Sequence, residues 1–147
     1  MPTHPFDRPR GSLRTFTVAS RALEGNLLGD PTERVVSVYL PPDYDANDES
    51  YPLFVDLVGF TGSGFSHVGW KPYAESVPQR VDRLIAEGRM GPVIVAFPDC
   101  FTSLGGNQYI NSVAMGRWAD FLIREMLPEL EQRFRVRPGR EHRAVFG

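Results

Sequence analysis

Apolar and polar positions alternate at the start of the chain and then stop alternating. Between Leu13 and Ser20, Leu13, Phe16, Val18 and Ala19 sit among Arg14, Thr15 and Thr17, the pattern of a half-buried strand. From Arg34 to Leu40, Val36, Val38 and Leu40 fall on one face and Val35, Ser37 and Tyr39 on the other. Pro41-Pro42 ends that strand, because proline has no N–H to give to a ladder. The polar stretch from Asp43 to Ser50 follows as a turn. The two strands are expected to pair antiparallel through Glu24 to Thr32. At Tyr51 the rhythm changes. Leu53-Phe54-Val55-Asp56-Leu57-Val58 and Val93-Ile94-Val95-Ala96-Phe97 are nearly continuous apolar runs. Strands of that kind are covered on both faces, as in a parallel sheet.

The segment between these runs predicts a helix. Ser76 and Gln79 have capping-box spacing, Pro78 falls in the first turn, and Gly88 is a natural stop. Val81, Leu84 and Ile85 form its inner stripe. A longer helix is predicted from about Ala114 to Phe134, with Trp118, Phe121, Leu122, Met126, Leu130 and Phe134 three and four apart. Pro128 should kink it near Arg124, whose carbonyl loses its donor. Arg143 to Phe146 is a short apolar segment closed by Gly147, read as a further parallel strand. Two antiparallel strands followed by β-α-β-α-β make a layered α/β domain. Its expected extent is residues 12–147, behind a flexible lead-in at residues 1–11.

Composition narrows the functional classes. The chain has 147 residues and a net charge of -2, from 16 basic and 18 acidic residues that are interspersed. There is no basic stripe to neutralise phosphates, so nucleic acid is not an expected partner. No apolar run approaches the ~20 residues that span a bilayer, so no membrane insertion is expected. Met1 to Arg14 lacks the apolar core of a secretory signal, which points to the cytoplasm. The single cysteine, Cys100, has no internal disulfide partner. Three histidines without ligand spacing give no reason to expect a metal, and no cofactor motif is present.

Two loops follow the buried strands, on the edge where open α/β sheets bind ligands. The first is Val58-Gly59-Phe60-Thr61-Gly62-Ser63-Gly64. Its glycines let the backbone approach a substrate, and free N–H groups could point at an oxyanion. It could equally be a flexible loop. It has neither G-x-G-x-x-G nor a Walker lysine, which removes nucleotide binding. The second loop runs from Phe97-Pro98-Asp99-Cys100 through Gly106-Asn107-Gln108-Tyr109-Ile110-Asn111-Ser112. Asn107, Gln108 and Tyr109 either line a pocket or serve turn chemistry, with asparagine satisfying its own backbone. Cys100 reads as a structural thiol, since nothing fixes a base beside it. Asp56 is an odd residue for a buried strand: it either marks the pocket or is a structural hydrogen-bonding group, and the second reading is preferred.

At this point the chain resembles a known family, the putative esterases related to esterase D, S-formylglutathione hydrolase and the mycolyltransferases. The carriers are Val38-Tyr39-Leu40-Pro41-Pro42-Asp43-Tyr44, Gly59-Phe60-Thr61-Gly62, Arg83-Leu84-Ile85-Ala86-Glu87-Gly88, Val95-Ala96-Phe97-Pro98-Asp99 and Glu141-His142-Arg143-Ala144-Val145-Phe146-Gly147. The resemblance implies a partial α/β-hydrolase fold, a three-layer sandwich with a mixed, mostly parallel sheet. It also implies hydrolysis of a small-molecule carboxylic ester or thioester by a Ser-His-Asp/Glu triad. The backbone N–H of Phe60, with Thr61 beside it, would be half of the oxyanion hole. Gly59, Gly62, Asn107, Gln108 and Tyr109 would line the pocket. Gly147 matches the first glycine of the nucleophile elbow G-x-S-x-G, and the triad runs nucleophile, acid, histidine in chain order. The expectation is therefore an N-terminal piece without its triad, in which neither His67 nor Ser63 substitutes. Relatives often carry histidine where this chain has Val58, a departure expected to alter loop packing. The rival expectation is a non-catalytic α/β binding module, or one half of a split hydrolase, that self-associates through an exposed sheet edge.

Overall fold

A computed structural model describes residues 10–147. Of the expected lead-in, residues 1–9 lie outside the described residues, while Gly11 donates its N–H to Asp82 at 2.7 Å. Among the described residues there are seven strands: β1 Ser12–Ala19, β2 Glu33–Leu40, β3 Leu53–Asp56, β4 Ile94–Pro98, β5 Asn111–Ser112, β6 Gly116–Arg117 and β7 Arg143–Phe146. β1 and β2 pair antiparallel along their whole length, from Ser12 opposite Leu40 to Ala19 opposite Glu33. The main sheet has the order β1-β2-β4-β3-β7. β2 runs against both of its neighbours, and β3 is parallel to β4 and to β7. Four of the five strands therefore share one direction, which puts the loops after β3 and β4 on the same edge.

Helices cover both faces, as the near-continuous apolar runs of β3 and β4 require. On one side lie α1 Gly64–Val68 and α2 Val77–Ala86. Tyr39, Val95 and Phe97 point from the sheet to this side and pack with Val81 and Val93. On the other side a long helical stretch meets Val36, Val38, Leu40, Leu53, Val55, Ile94 and Ala96. That face holds the larger core, with Trp118, Phe121, Met126 and Leu130 essentially inaccessible. Each such side chain contributes roughly 2–3 kcal/mol by leaving water. The result is an α/β three-layer arrangement around a mixed sheet.

α2 forms where its punctuation predicts. Gln79 N–H donates to Ser76 Oγ, Gln79 Oε1 accepts from Ser76 N–H, and Gly88 takes a φ of 67° just past the end. The second helix differs from expectation. It starts at Trp118, because Asn111–Arg117 folds back as the β5–β6 pair with Gly116 at φ 111°. It then runs as α3 Trp118–Asp120, a π-helical turn Phe121–Met126 and α4 Leu127–Arg133. Leu127 N–H reaches back five residues to Leu122 O. A wide turn thus stands where the proline kink was expected, and it contains Arg124, four residues before Pro128. α1 was not predicted, because its capping box joins Ser63 to Ser66 rather than to an acidic or amide side chain.

The end opposite the loops is closed by Arg135. Its guanidinium donates to the carbonyls of Tyr44, Asn47 and Glu49 and lies 3.9 Å from the centre of the Tyr44 ring. Backbone bonds Tyr51 N–H to Arg135 O, 2.9 Å, and Arg137 N–H to Tyr51 O, 2.8 Å, continue the tie. Among the described residues, no helix is long and apolar enough to cross a membrane.

Candidate active site

β3 ends at Asp56, and the chain turns sharply two residues on. Gly62 N–H donates to Gly59 O at 3.1 Å, closing a tight turn over Gly59-Phe60-Thr61-Gly62. Ser63 N–H is taken by Ser66 Oγ at 3.1 Å. No hydrogen bond among the described residues uses the N–H of Phe60 or Thr61. Both are exposed at the tip of the turn, and Phe60 is 51% accessible. A turn whose outer two amides are unspent, at the carboxyl end of a central strand, can receive negative charge on an oxygen.

The turn is held from behind by the second loop. Gly106 N–H donates to Phe60 O at 2.5 Å, and Tyr109 Oη donates to Val58 O at 2.5 Å. A Cβ at Gly106 would run into the backbone of Phe60, so glycine is needed for this close approach. Burial, then the charges of Cys100 and Asp56, push the Tyr109 hydroxyl up to about 12, so it stays a donor. Asn107 is buried, and its amide is spent inside the loop: Nδ2 donates to Cys100 O at 3.2 Å and Oδ1 accepts from Tyr109 N–H at 2.7 Å. That is the turn chemistry open to asparagine. Gln108 is exposed on the same loop, and Gly59 has open space where a side chain would stand. The residues singled out in the sequence therefore come together as two interlocked loops, with Tyr109 and Gly106 bracing the turn. Between the loops and the start of β2 lies a cavity of about 650 Å³, reached by Thr61, Gly62, Phe65 and Phe101.

α1 sits directly on the end of β4. A Cβ at Gly64 would meet Phe97 C and Pro98 O at 2.6 Å. This seat delivers His67 to Asp56, with Nδ1 2.5 Å from Oδ2. Asp56 is wholly buried, and its Oδ1 has no partner. Burial raises the Asp56 carboxyl above the usual range, and the bond and charge of His67 work against that rise. Reading the residues singly missed this pair. The signal available was an acid inside an apolar run, since a buried carboxylate demands a partner. Cys100 is buried, and desolvation, with the Asp99 charge next, pushes its thiol up to about 12. That is opposite to what a thiolate nucleophile needs. No serine among the described residues is bonded to His67.

β7 ends beside the turn. Leu57 N–H donates to Phe146 O at 2.7 Å, and a Cβ on Gly147 would strike the carbonyl of Leu57. The chain leaving β7 thus passes against the backbone that opens the Gly59 turn.

Several solved structures share this architecture. A ferulic acid esterase superposes with a TM-score of 0.72 at 24% identity, over 93% of this chain and 48% of that one. A ferulic acid esterase from Anaeromyces mucronatus, solved with ferulic acid, gives 0.70 at 21% identity, over 98% and 51%. An S-formylglutathione hydrolase from Agrobacterium tumefaciens gives 0.59 at 17% identity, over 100% and 51%. At these identities the likeness establishes the fold, and the chain spans about half the length of each structure. The family model described as putative esterase matches residues 30–147, which include both loops and Gly147, and the chain belongs to that family.

Proposed function

We propose that the chain is the oxyanion-loop part of a serine carboxylic-ester or thioester hydrolase whose nucleophile, acid and histidine lie outside these 147 residues. The observation that carries this is the Gly59–Gly62 turn with the Phe60 and Thr61 amides unspent, set against Gly147 at the end of the parallel strand β7. Family membership and the esterase structures support it. In the reaction, a serine oxygen attacks the carbonyl carbon and gives its proton to the histidine. The tetrahedral oxyanion is held by the Phe60 N–H and by the amide following the serine. Collapse expels the alcohol or thiol, which takes that proton, and water then releases the acid from the acyl-enzyme. Gly59, Gly62, Gln108 and Tyr109 border the substrate, a small-molecule ester. Asn107 acts through Tyr109, which it positions.

The test is labelling by a fluorophosphonate together with p-nitrophenyl acetate turnover. Residues 1–147 alone should give neither signal. A chain continued past Gly147 through a full hydrolase domain should give both, labelled at a serine beyond Gly147. Labelling of a serine within residues 1–147 would sink the assignment. A split hydrolase is the second form of the same idea, favoured by the exposure of Val145, 66%, and Phe146, 37%, in the edge strand β7. It requires activity to appear only when this chain is mixed with a complementary one.

A further inference from the structure

The Phe60 and Thr61 amides can meet an oxygen at a fixed place only if the turn that carries them is held. That turn lies between β3 and α1, and its second half leans on α1. Ser63 N–H goes to Ser66 Oγ at 3.1 Å, and a Cβ on Gly62 would come within 2.8 Å of the same oxygen. The position of α1 therefore sets the position of the turn. α1 has five residues, Gly64–Val68, too few for a helix to hold itself in water. It also buries little. Phe65 and Ser66 are exposed, His67 and Val68 are half-buried, and the one buried residue, Gly64, brings no side chain.

His67 supplies the anchor. Its Nδ1 lies 2.5 Å from Oδ2 of Asp56, eleven positions back at the last residue of β3. The bond crosses the base of segment 57–66, which contains the whole turn. Asp56 is wholly buried and its Oδ1 is bare, so among the described residues His67 is the hydrogen-bonding partner of that carboxylate. A buried carboxylate stripped of its partner costs more than an ordinary lost hydrogen bond, which makes the pull on the imidazole strong. Asp56 is itself fixed by the sheet. It stands opposite Phe146 of β7, and the next amide, Leu57 N–H, donates to Phe146 O at 2.7 Å. One end of the turn is thus tied to the sheet through the strand ladder and the other through the imidazole.

We propose that His67 is a positioning residue for the turn that carries the Phe60 and Thr61 amides, clasping α1 to the end of β3 across the base of that turn. That these amides meet an oxyanion rests on the hydrolase reading; the clasp does not. The test compares His67→Phe, which keeps the bulk and loses the bond, with His67→Asn, which sets an amide nitrogen where Nδ1 stands. In the 147-residue chain, His67→Phe should speed amide exchange at Gly62, whose N–H closes the turn, by about tenfold, the scale of one hydrogen bond. The NMR order parameters of Phe60 and Thr61 should fall from about 0.85 towards about 0.6. Leu57 N–H should keep its wild-type exchange, which separates an open clasp from a lost fold. His67→Asn should restore Gly62, Phe60 and Thr61. An unchanged Gly62 in His67→Phe, an equal change at Leu57, or no rescue by asparagine overturns the clasp. In a continued chain that labels at its serine, His67→Phe should lower kcat for p-nitrophenyl acetate by about tenfold and keep KM within about twofold, since the amides act on the transition state. An unchanged kcat there overturns the positioning role. If no serine labels, the hydrolase reading falls, and exchange at Gly62 still decides the clasp.

Discussion

Asp56 shows how a single residue can be conspicuous in a sequence while its role stays hidden. An acid in the run Leu53 to Val58 must be satisfied or costly, and the structure satisfies one of its oxygens with His67 and leaves the other bare. Its raised pKa carries a sign. A carboxyl favoured as the neutral form in the fold contributes fully below the usual carboxylate range, and that contribution is lost as pH rises through its folded value. Asp56→Asn removes this titration. Urea unfolding of the two proteins from about pH 4 to about pH 8 should show the wild type losing ground to the variant as pH rises. Parallel profiles, or a wild type that gains, would contradict the assignment. The sequence marked Asp56 as unusual but could not supply His67 as its partner. The contact depends on Gly64 letting α1 sit on β4, and a five-residue helix with a serine-to-serine cap has no pattern to read.

At the scale of elements, legibility followed the punctuation. α2 was readable because Ser76, Pro78, Gln79 and Gly88 each do one local job. The long helix was readable in its apolar face and misread in its start, because the positive φ of Gly116 is invisible in a periodic pattern. The two loops were readable as neighbours on one edge. Their interlock was not, since Gly106 to Phe60 and Tyr109 to Val58 are contacts across 46 and 51 positions. That interlock can be tested by itself. Tyr109→Phe removes one hydrogen bond and should cost about 1 kcal/mol in urea unfolding. Gly106→Ala should cost more, because its Cβ meets the Phe60 backbone. Both should speed amide exchange at Phe60 and Thr61 more than in β4. Loss of stability with unchanged exchange at the turn would mean that the second loop does not brace the first.

Across the whole molecule the sheet is unevenly finished. β1 and β7 are both edge strands with one partner each in the main sheet, but β1 buries Phe16 and Val18 in the large core, whereas β7 carries exposed Val145 and Phe146. Beside it an apolar groove of about 280 Å³ runs between Phe54, Val81, Leu84, Met90 and Phe146. An open edge with an apolar flank invites pairing with another chain. Sedimentation of the chain on dilution should reveal reversible self-association, and Val145→Lys should reduce it without changing the far-ultraviolet dichroism. A wild type monomeric at every concentration would remove that proposal. The family-level fold was legible because five short motifs kept their order, while the asymmetry of the edge depends on side-chain exposure that no motif encodes.

Arg135 has a meaning for the path of folding. It joins Asn47 to the end of α4 across 88 positions of sequence. Closing a loop of that length costs roughly 4 kcal/mol of chain entropy before any reward arrives. β1 and β2 are near in sequence and can zip early, but this clasp can engage only after β3, α2 and β4 have collapsed. Arg135 therefore acts as a late latch, tying the segment before β3 to the residues that follow α4.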